Sequence, residues 1–437
     1  MSSFGAKLER VQMGSTRATD PRPAASDAGS EKDALPEEPR AKLDALRERI
    51  AAILAKTSPP RPRVDPSAFD LPFAREETPS GPLYVRTKRL SAAHRVGRAP
   101  VNVGKEASSE MLALLALDPG LVTADPARAL YLDTETTGLS GGAGTVPFLI
   151  GLGWFERATD GPPGGRPSPA GFVVEQLLLR ELGEERPLLE RLAQRIAEAS
   201  MLVTYNGKSF DLPLVTSRFV MCRLPALPPV LHLDLVHVAR RIHRHRIAQH
   251  TLKTIEAEVL GFERTADISG GEVASRYGHF LRTGDGAALG AVVDHNEWDV
   301  VAMAALVGLY GEPLAGLGPI DLPGVARTVR RAGSLELASR IADVAVGAGG
   351  GHEAVRARGE IAKARGDKAL ALADFASLVE TVDDPSLRLE LAKLYEHHAK
   401  APLAALELVL RGTGERPEAH EKRRARLERK RDRRRPP

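Results

Sequence analysis

Four acidic side chains and one histidine fall in three separated segments that are able to bring oxygen ligands together. Asp133 and Glu135 sit two apart in YLDTETTGLSGG, Asp211 closes YNGKSFD, and His295 and Asp299 lie one helical turn apart in DHNEWDVVAM. Gathered without a partner they repel, because at roughly 4 Å and an effective dielectric near 20 each like-charge pair costs about 4 kcal/mol. A divalent cation removes that penalty. Oxygen ligands without thiolate favour Mg²⁺ or Mn²⁺ over structural zinc. Two such ions about 3.5–4 Å apart activate a water and stabilise the leaving oxygen of an in-line phosphoryl displacement. His295 then fits as the base that takes the water's proton, since an unperturbed imidazole titrates near neutrality.

Each segment alone is weak. With 57 acidic residues in 437, chance supplies about seven Asp/Glu pairs at the first spacing. An Asp at a strand-to-helix junction also serves as a helix cap, and a His–Asp pair at i, i+4 also serves a helix surface. Context gives them weight. The period of two in an extended strand puts Asp133 and Glu135 on one side, and the 3.6 period does the same for His295 and Asp299.

The elements that must position them follow from the patterning. Apolar runs predict strands at 129–132, 148–155, 172–179, 201–205 and 231–233, with a Pro/Gly loop at 159–170. Helical spacing predicts helices after Pro187 and over 210–222, 236–242, 252–260, 272–281 and 288–310. Three strands followed by alternating helix and strand make an α/β, α+β mixed sheet with helices on its faces.

Composition bounds the rest. A single Cys222 excludes a disulfide framework and a cysteine-rich zinc module, and fits a reducing, cytoplasmic setting. No apolar run approaches the roughly 18 residues of a membrane span. Residues 1–65 read as a disordered arm with a short helix at 40–56, and 66–126 as an N-terminal extension packing on the domain that begins at about 127. Leu337-Ala338, Leu370-Ala371 and Leu403-Ala404 recur every 33 residues, so 325–412 reads as helical repeats of the tetratricopeptide kind, a surface for a protein partner. A basic tail, 413–437, follows. Residues 411–437 hold 12 Lys/Arg against 5 Asp/Glu on a chain of net charge +4. The tract RRIHRHRIAQHTLK, with Arg240, Arg241, His243, Arg244, His245, Arg246, His250 and Lys253, suits phosphate contact better than metal, because its arginines repel a cation.

The three motifs together resemble those of the DEDD 3′-to-5′ exonuclease superfamily. Asp133-Thr134-Glu135 matches the first, Asn206 with Phe210-Asp211 the second, and His295 with Asp299 the third. LDTETTGLSGGAGTVPFLIGLGWF, LVTYNGKSFDLPL and VVDHNEWDVVAM are similar to the YprB-like branch of ribonuclease-H-like exonucleases, over about 127–312. One detail departs: His295 stands four residues before Asp299, the spacing that relatives with Tyr use, not the five that relatives with His use. The resemblance implies a ribonuclease-H-like fold. It also implies a two-metal nuclease acting on DNA or RNA, with Asp133, Glu135, Asp211 and Asp299 as ligands and His295 as base. Thr136, Thr137 and Leu139 are then expected to line a terminal-nucleotide pocket, with Asn206, Arg244 and Arg246 as further substrate contacts. A structure-specific endonuclease on the same fold, or a silent nucleic-acid-binding scaffold, are the alternative readings.

Overall fold

The computed structural model describes residues 71–138, 144–156, 171–265 and 267–433. The expected arm over 1–65 with its helix at 40–56, the loop at 159–170 and Leu139 lie outside these residues. Seven strands form one sheet in the order β1-β2-β7-β6-β5-β8-β9. They are β1 Ala74–Thr78, β2 Gly81–Leu90, β5 Ala129–Thr136, β6 Pro147–Phe155, β7 Phe172–Leu178, β8 Met201–Thr204 and β9 Leu231–Asp234, while β3 Arg95–Val96 and β4 Ala99–Pro100 pair separately. The first five strands in spatial order pair antiparallel, whereas β5, β8 and β9 are parallel. The mixed sheet is the one the sequence predicts. Its first hairpin, β1–β2, was legible only as the short piece Leu83–Val85, because Arg86, Thr87, Lys88 and Arg89 break the apolar run next to the edge.

Strand β5 also runs further than its apolar residues. It continues through Asp133 and Glu135, which pair with Gly151 and Leu149 of β6, and shifts register only at Glu135/Thr136. The alternation of β5 decides what its carboxylates face. Ala129 and Tyr131 enter one core, Leu130 and Leu132 the other, so Asp133 and Glu135 continue the row of Tyr131.

That side is covered by the helix Gly290–Gly311, which is buried all round from Val300 to Gly311. A helix apolar on every side belongs inside a core. No helix among the described residues is long and apolar enough to cross a membrane. The opposite side of the sheet carries helices Arg186–Glu198, Asp211–Met221 and Gly270–Thr283.

Among the described residues, 322–433 are helical. Helices Leu322–Arg331 and Leu335–Gly347 share the core that holds Tyr131 and Tyr310, whereas a separate core starts at Ala362 and ends at Leu427. The three Leu-Ala pairs fall in helices Leu335–Gly347, Lys368–Val379 and Pro402–Leu410. The basic segment differs from a solvated tail: Pro417–Asp432 is a helix, with Leu427 buried and Arg426 and Lys430 both on Glu396, at 2.7 Å each. One apolar residue and one fully buried carboxylate account for the anchoring, and composition conceals both.

Candidate metal centre

Strand β5 delivers Asp133 and Glu135, the helix Gly290–Gly311 delivers His295, Asn296 and Asp299, and the helix Asp211–Met221 delivers Asp211 from its first turn. The turn before that helix is held from below. Asp234, at the end of β9, accepts the backbone N–H of Asn206 at 2.7 Å and of Lys208 at 3.0 Å. Asn206 adopts φ 70°, a left-handed conformation that Asn tolerates better than most residues.

His295 Nε2 lies 3.6 Å from Asp299 Oδ2 and 4.0 Å from Glu135 Oε1. One ligand atom each from Glu135, His295 and Asp299 falls within 4.8 Å of the others. Asp133 Oδ2 accepts from Asn296 Nδ2 at 2.8 Å, and Asp211 Oδ1 accepts from Thr134 Oγ1 at 2.5 Å. Asn296 is itself fixed, since its Oδ1 accepts from Gln176 Nε2 at 2.9 Å. The structure thus brings together ligand atoms of Glu135, His295 and Asp299, and sets Asp133 and Asp211 close enough for their charges to act on the same group.

Electrostatics follow from burial. Glu135 and Asp211 are each only 8% exposed. Burial, then the charge of Asp299, pushes Glu135 up to about 7. Burial likewise pushes Asp211 up to about 6, against the hydrogen bond from Thr134. Asp133 is raised well above the usual carboxylate range, by burial and by the neighbouring charges of Asp299, Glu135 and Asp211. Burial would lower His295, but Asp299, Glu135 and Asp267 together outweigh it and raise it. A divalent cation fits this donor set on one further observation: Glu135 Oε1 is buried with no hydrogen-bond partner. An unsatisfied buried carboxylate oxygen is costly, and a hard cation is what an all-oxygen group with one imidazole would satisfy.

Two residues that sequence reasoning missed complete the back of the site. Arg264, with its side chain 1% exposed, binds both oxygens of buried Glu256 at 2.6 Å and also bonds Asp299 Oδ1. Asp267 Oδ1 lies 2.6 Å from His295 Nδ1, and its Oδ2 is 3.0 Å from Lys253 Nζ. Both lie in the connection between Leu260 and Gly270, which has no periodicity to read. Gln176 had a signal, a polar residue within the buried run of β7.

The remaining expected contacts are distributed differently. Thr136 and Thr137 close the end of β5, Thr136 Oγ1 donating to Gly138 O and Thr137 Oγ1 accepting from Val146 N. Arg246 corrects the reading of the basic tract: its guanidinium is spent on Asp321, at 2.7 and 3.1 Å, because a buried carboxylate needs a partner. Arg244 is exposed and stands in a separate cleft with Arg241 and Arg327.

Gly151 sets the clearance of the whole arrangement. It pairs with Asp133 across β5–β6, and a Cβ there would meet Asn296 Oδ1 at 2.2 Å. Gly151→Ala is expected to push Asn296 off Asp133, costing about 1–3 kcal/mol of overpacking and at least about tenfold in turnover, roughly 1.4 kcal/mol of barrier. Thermal denaturation and initial rates measure the two effects. Unchanged values for both would remove Asn296 from the account.

Comparison with known proteins agrees with this architecture. Residues 130–310 match the model of the family RNase_H_2, described as RNase_H superfamily. "Uncharacterized protein YprB" of Bacillus subtilis (strain 168) is 38% identical over 180 residues, which make up 40% of this chain. The match spans 40% of that relative's length. Among solved structures, the family B DNA polymerase of the hyperthermophilic archaeon Pyrobaculum calidifontis aligns with a TM-score of 0.31 at 15% identity, covering 54% of this chain and 29% of that one. Residues 130–310 are a ribonuclease-H-like domain.

Proposed function

We propose that this chain hydrolyses the phosphodiester bonds of DNA or RNA with two divalent metal ions, removing nucleotides from a 3′ end. The observation that supports the reading is the approach of ligand atoms of Glu135, His295 and Asp299 to within 4.8 Å of one another, with Glu135 Oε1 buried without a donor and Asp133 in the field of Glu135, Asp211 and Asp299. Asp133, Glu135, Asp211 and Asp299 would hold the ions. Bound Mg²⁺ or Mn²⁺ supplies Lewis-acid polarisation of the phosphoryl group and a lowered pKa of bound water.

The chain's own groups do the rest. Asn296 and Thr134 each donate one hydrogen bond, orienting Asp133 and Asp211. Arg264 occupies Asp299 Oδ1 and leaves Oδ2 turned toward His295. His295 Nδ1 faces Arg264 Nη1 at 3.1 Å and Asp267 Oδ1 at 2.6 Å; the shorter contact is to a carboxylate, which only accepts, so Nδ1–H donates to Asp267 and Nε2 keeps its lone pair when the ring is neutral. Nε2 is then free to take a proton from the attacking water. Polarity from the 3′ end rests on the resemblance of the three motifs. The helical part, read as tetratricopeptide-like repeats, would recruit a protein partner.

End-labelled single and double strands of DNA and RNA, incubated with and without EDTA, test this. Stepwise shortening from the 3′ end, stopped by EDTA, is the expected outcome, and a covalently closed single-stranded circle should survive. Nicking of the circle would replace the exonuclease by a structure-specific endonuclease. Binding without turnover across Mg²⁺ and Mn²⁺ titrations would leave only a scaffold.

A further inference from the structure

A cleft of about 570 Å³ separates the basic tract after β9 from the first C-terminal helices, and six arginines line it against two glutamates. Arg241 and Arg244 come from one wall, Arg327, Arg330, Arg331 and Arg356 from the other. The two acids are already used. Glu360 pairs with Arg327 at 3.0 Å and with Arg356 at 3.4 Å, and Glu353 with Arg327 at 2.7 Å. Among the described residues, Arg241, Arg244 and Arg331 have no acidic partner within 4.0 Å. Burial, and then the charge of Arg331, holds Arg241 below its ordinary value. Such crowding of like charge is unfavourable unless an anion occupies the space.

The walls are fixed relative to each other. His243 Nδ1 and Arg246 Nε both lie 2.7 Å from Asp321 Oδ1, and His245 Nε2 lies 2.7 Å from Ile320 O. Gly324 sits so close to the facing helix that a Cβ would meet Ile242 O at 2.0 Å. A rigid cleft holds its charges in place before any ligand arrives, so little ordering is lost on binding. Its lining has no Phe, Tyr or Trp on which a base would stack, and its one imidazole, His245, is tied to Ile320 O. Guanidinium forks instead match phosphate oxygens.

We propose that this cleft is a second nucleic-acid contact, gripping the backbone phosphates of a strand whose end is processed at the carboxylate cluster. It rests on the reading of the chain as a nuclease. The helix that carries Asp299 also braces one wall of the cleft from within the core: Tyr310, eleven residues and about 16 Å along the axis beyond Asp299, has its hydroxyl 3.1 Å from Nε2 of buried His243, on the helix that carries Arg241. Recognition there is independent of sequence and sensitive to salt.

The test is fluorescence anisotropy of a labelled 30-nucleotide single strand in EDTA, where binding is read without turnover. Arg244→Glu/Arg331→Glu, two exposed positions, should weaken binding at least about tenfold and reduce the slope of log K against log salt by about one to two. Arg340→Glu/Lys368→Glu changes the net charge equally on a different surface and should stay within about twofold of the parent. Unchanged affinity and slope in the first variant would overturn the cleft, and so would failure of the parent to bind the strand. Displacement by polyglutamate as effective as by unlabelled strand would assign the cleft to an acidic polypeptide and overturn the proposal too. Turnover of the parent with Mg²⁺ or Mn²⁺, measured separately, decides the nuclease reading on its own.

Discussion

Asp133→Asn should leave a folded protein whose metal-dependent strand hydrolysis has fallen by at least about a thousandfold, or roughly 4 kcal/mol of transition-state stabilisation. Asp133 is in the field of all the other acids of the cluster, and one of its oxygens is already oriented by Asn296. Asn keeps the shape and can still accept from Asn296 Nδ2 through its amide oxygen, so the loss reads out the missing charge. Asp133→Ala is the harsher variant. It strands the Asn296 amide, a fully buried donor, at about 1–3 kcal/mol. Single-turnover rates on a labelled strand, alongside circular dichroism of both variants, separate chemistry from folding. Residual activity above about 1% in Asp133→Asn would remove Asp133 from the ligand set, since losing a metal ligand should cost more than about 2.7 kcal/mol.

The second large effect is thermal. Without metal, Glu135 titrates near 7 and Asp211 near 6, both above their unfolded values. For acids raised in this way the folded state binds more protons than the unfolded one. Their contribution to stability is therefore fully present below about pH 4 and is lost as pH rises through 6 and 7. Adding Mn²⁺ at pH 8 should raise the Tm. At a hundredfold excess over Kd the stabilisation is about 2.7 kcal/mol, equivalent to several degrees. The rise should shrink at pH 5.5, where protons compete for the same oxygens. Asp133→Asn should melt higher than the parent in EDTA at pH 8, because one of the crowded charges is gone, and should show almost none of the Mn²⁺ effect. Scanning calorimetry of the two proteins at both pH values checks this, and equal Mn²⁺ shifts in parent and variant would sink it.

How much of this was legible depends on how local the information is. Asp133 with Glu135, and His295 with Asp299, were legible because each pair lies within one element whose period places both residues on one side. The core alternation through Ala129, Leu130, Tyr131 and Leu132 then carries the first pair toward the correct face. Arg264 was not legible, since its partners Glu256 and Asp299 lie 8 and 35 residues away and only the tertiary fold unites them. Arg246 shows the converse. In sequence it is one of several arginines, and only the position of Asp321 separates it from Arg244, which remains exposed. The helix Pro417–Asp432 was not legible from composition, because its anchors are one buried leucine, Leu427, and one distant carboxylate, Glu396.

The helix Gly290–Gly311 holds His295 and Asp299 in its first half and forms the axle of the core at its end. A ligand carrier of that kind has no loop to close and no hinge to swing. The proposed ion site is a mould cast during folding, and a metal-depleted chain should keep its outline while carrying a charge imbalance that only cations or protons relieve.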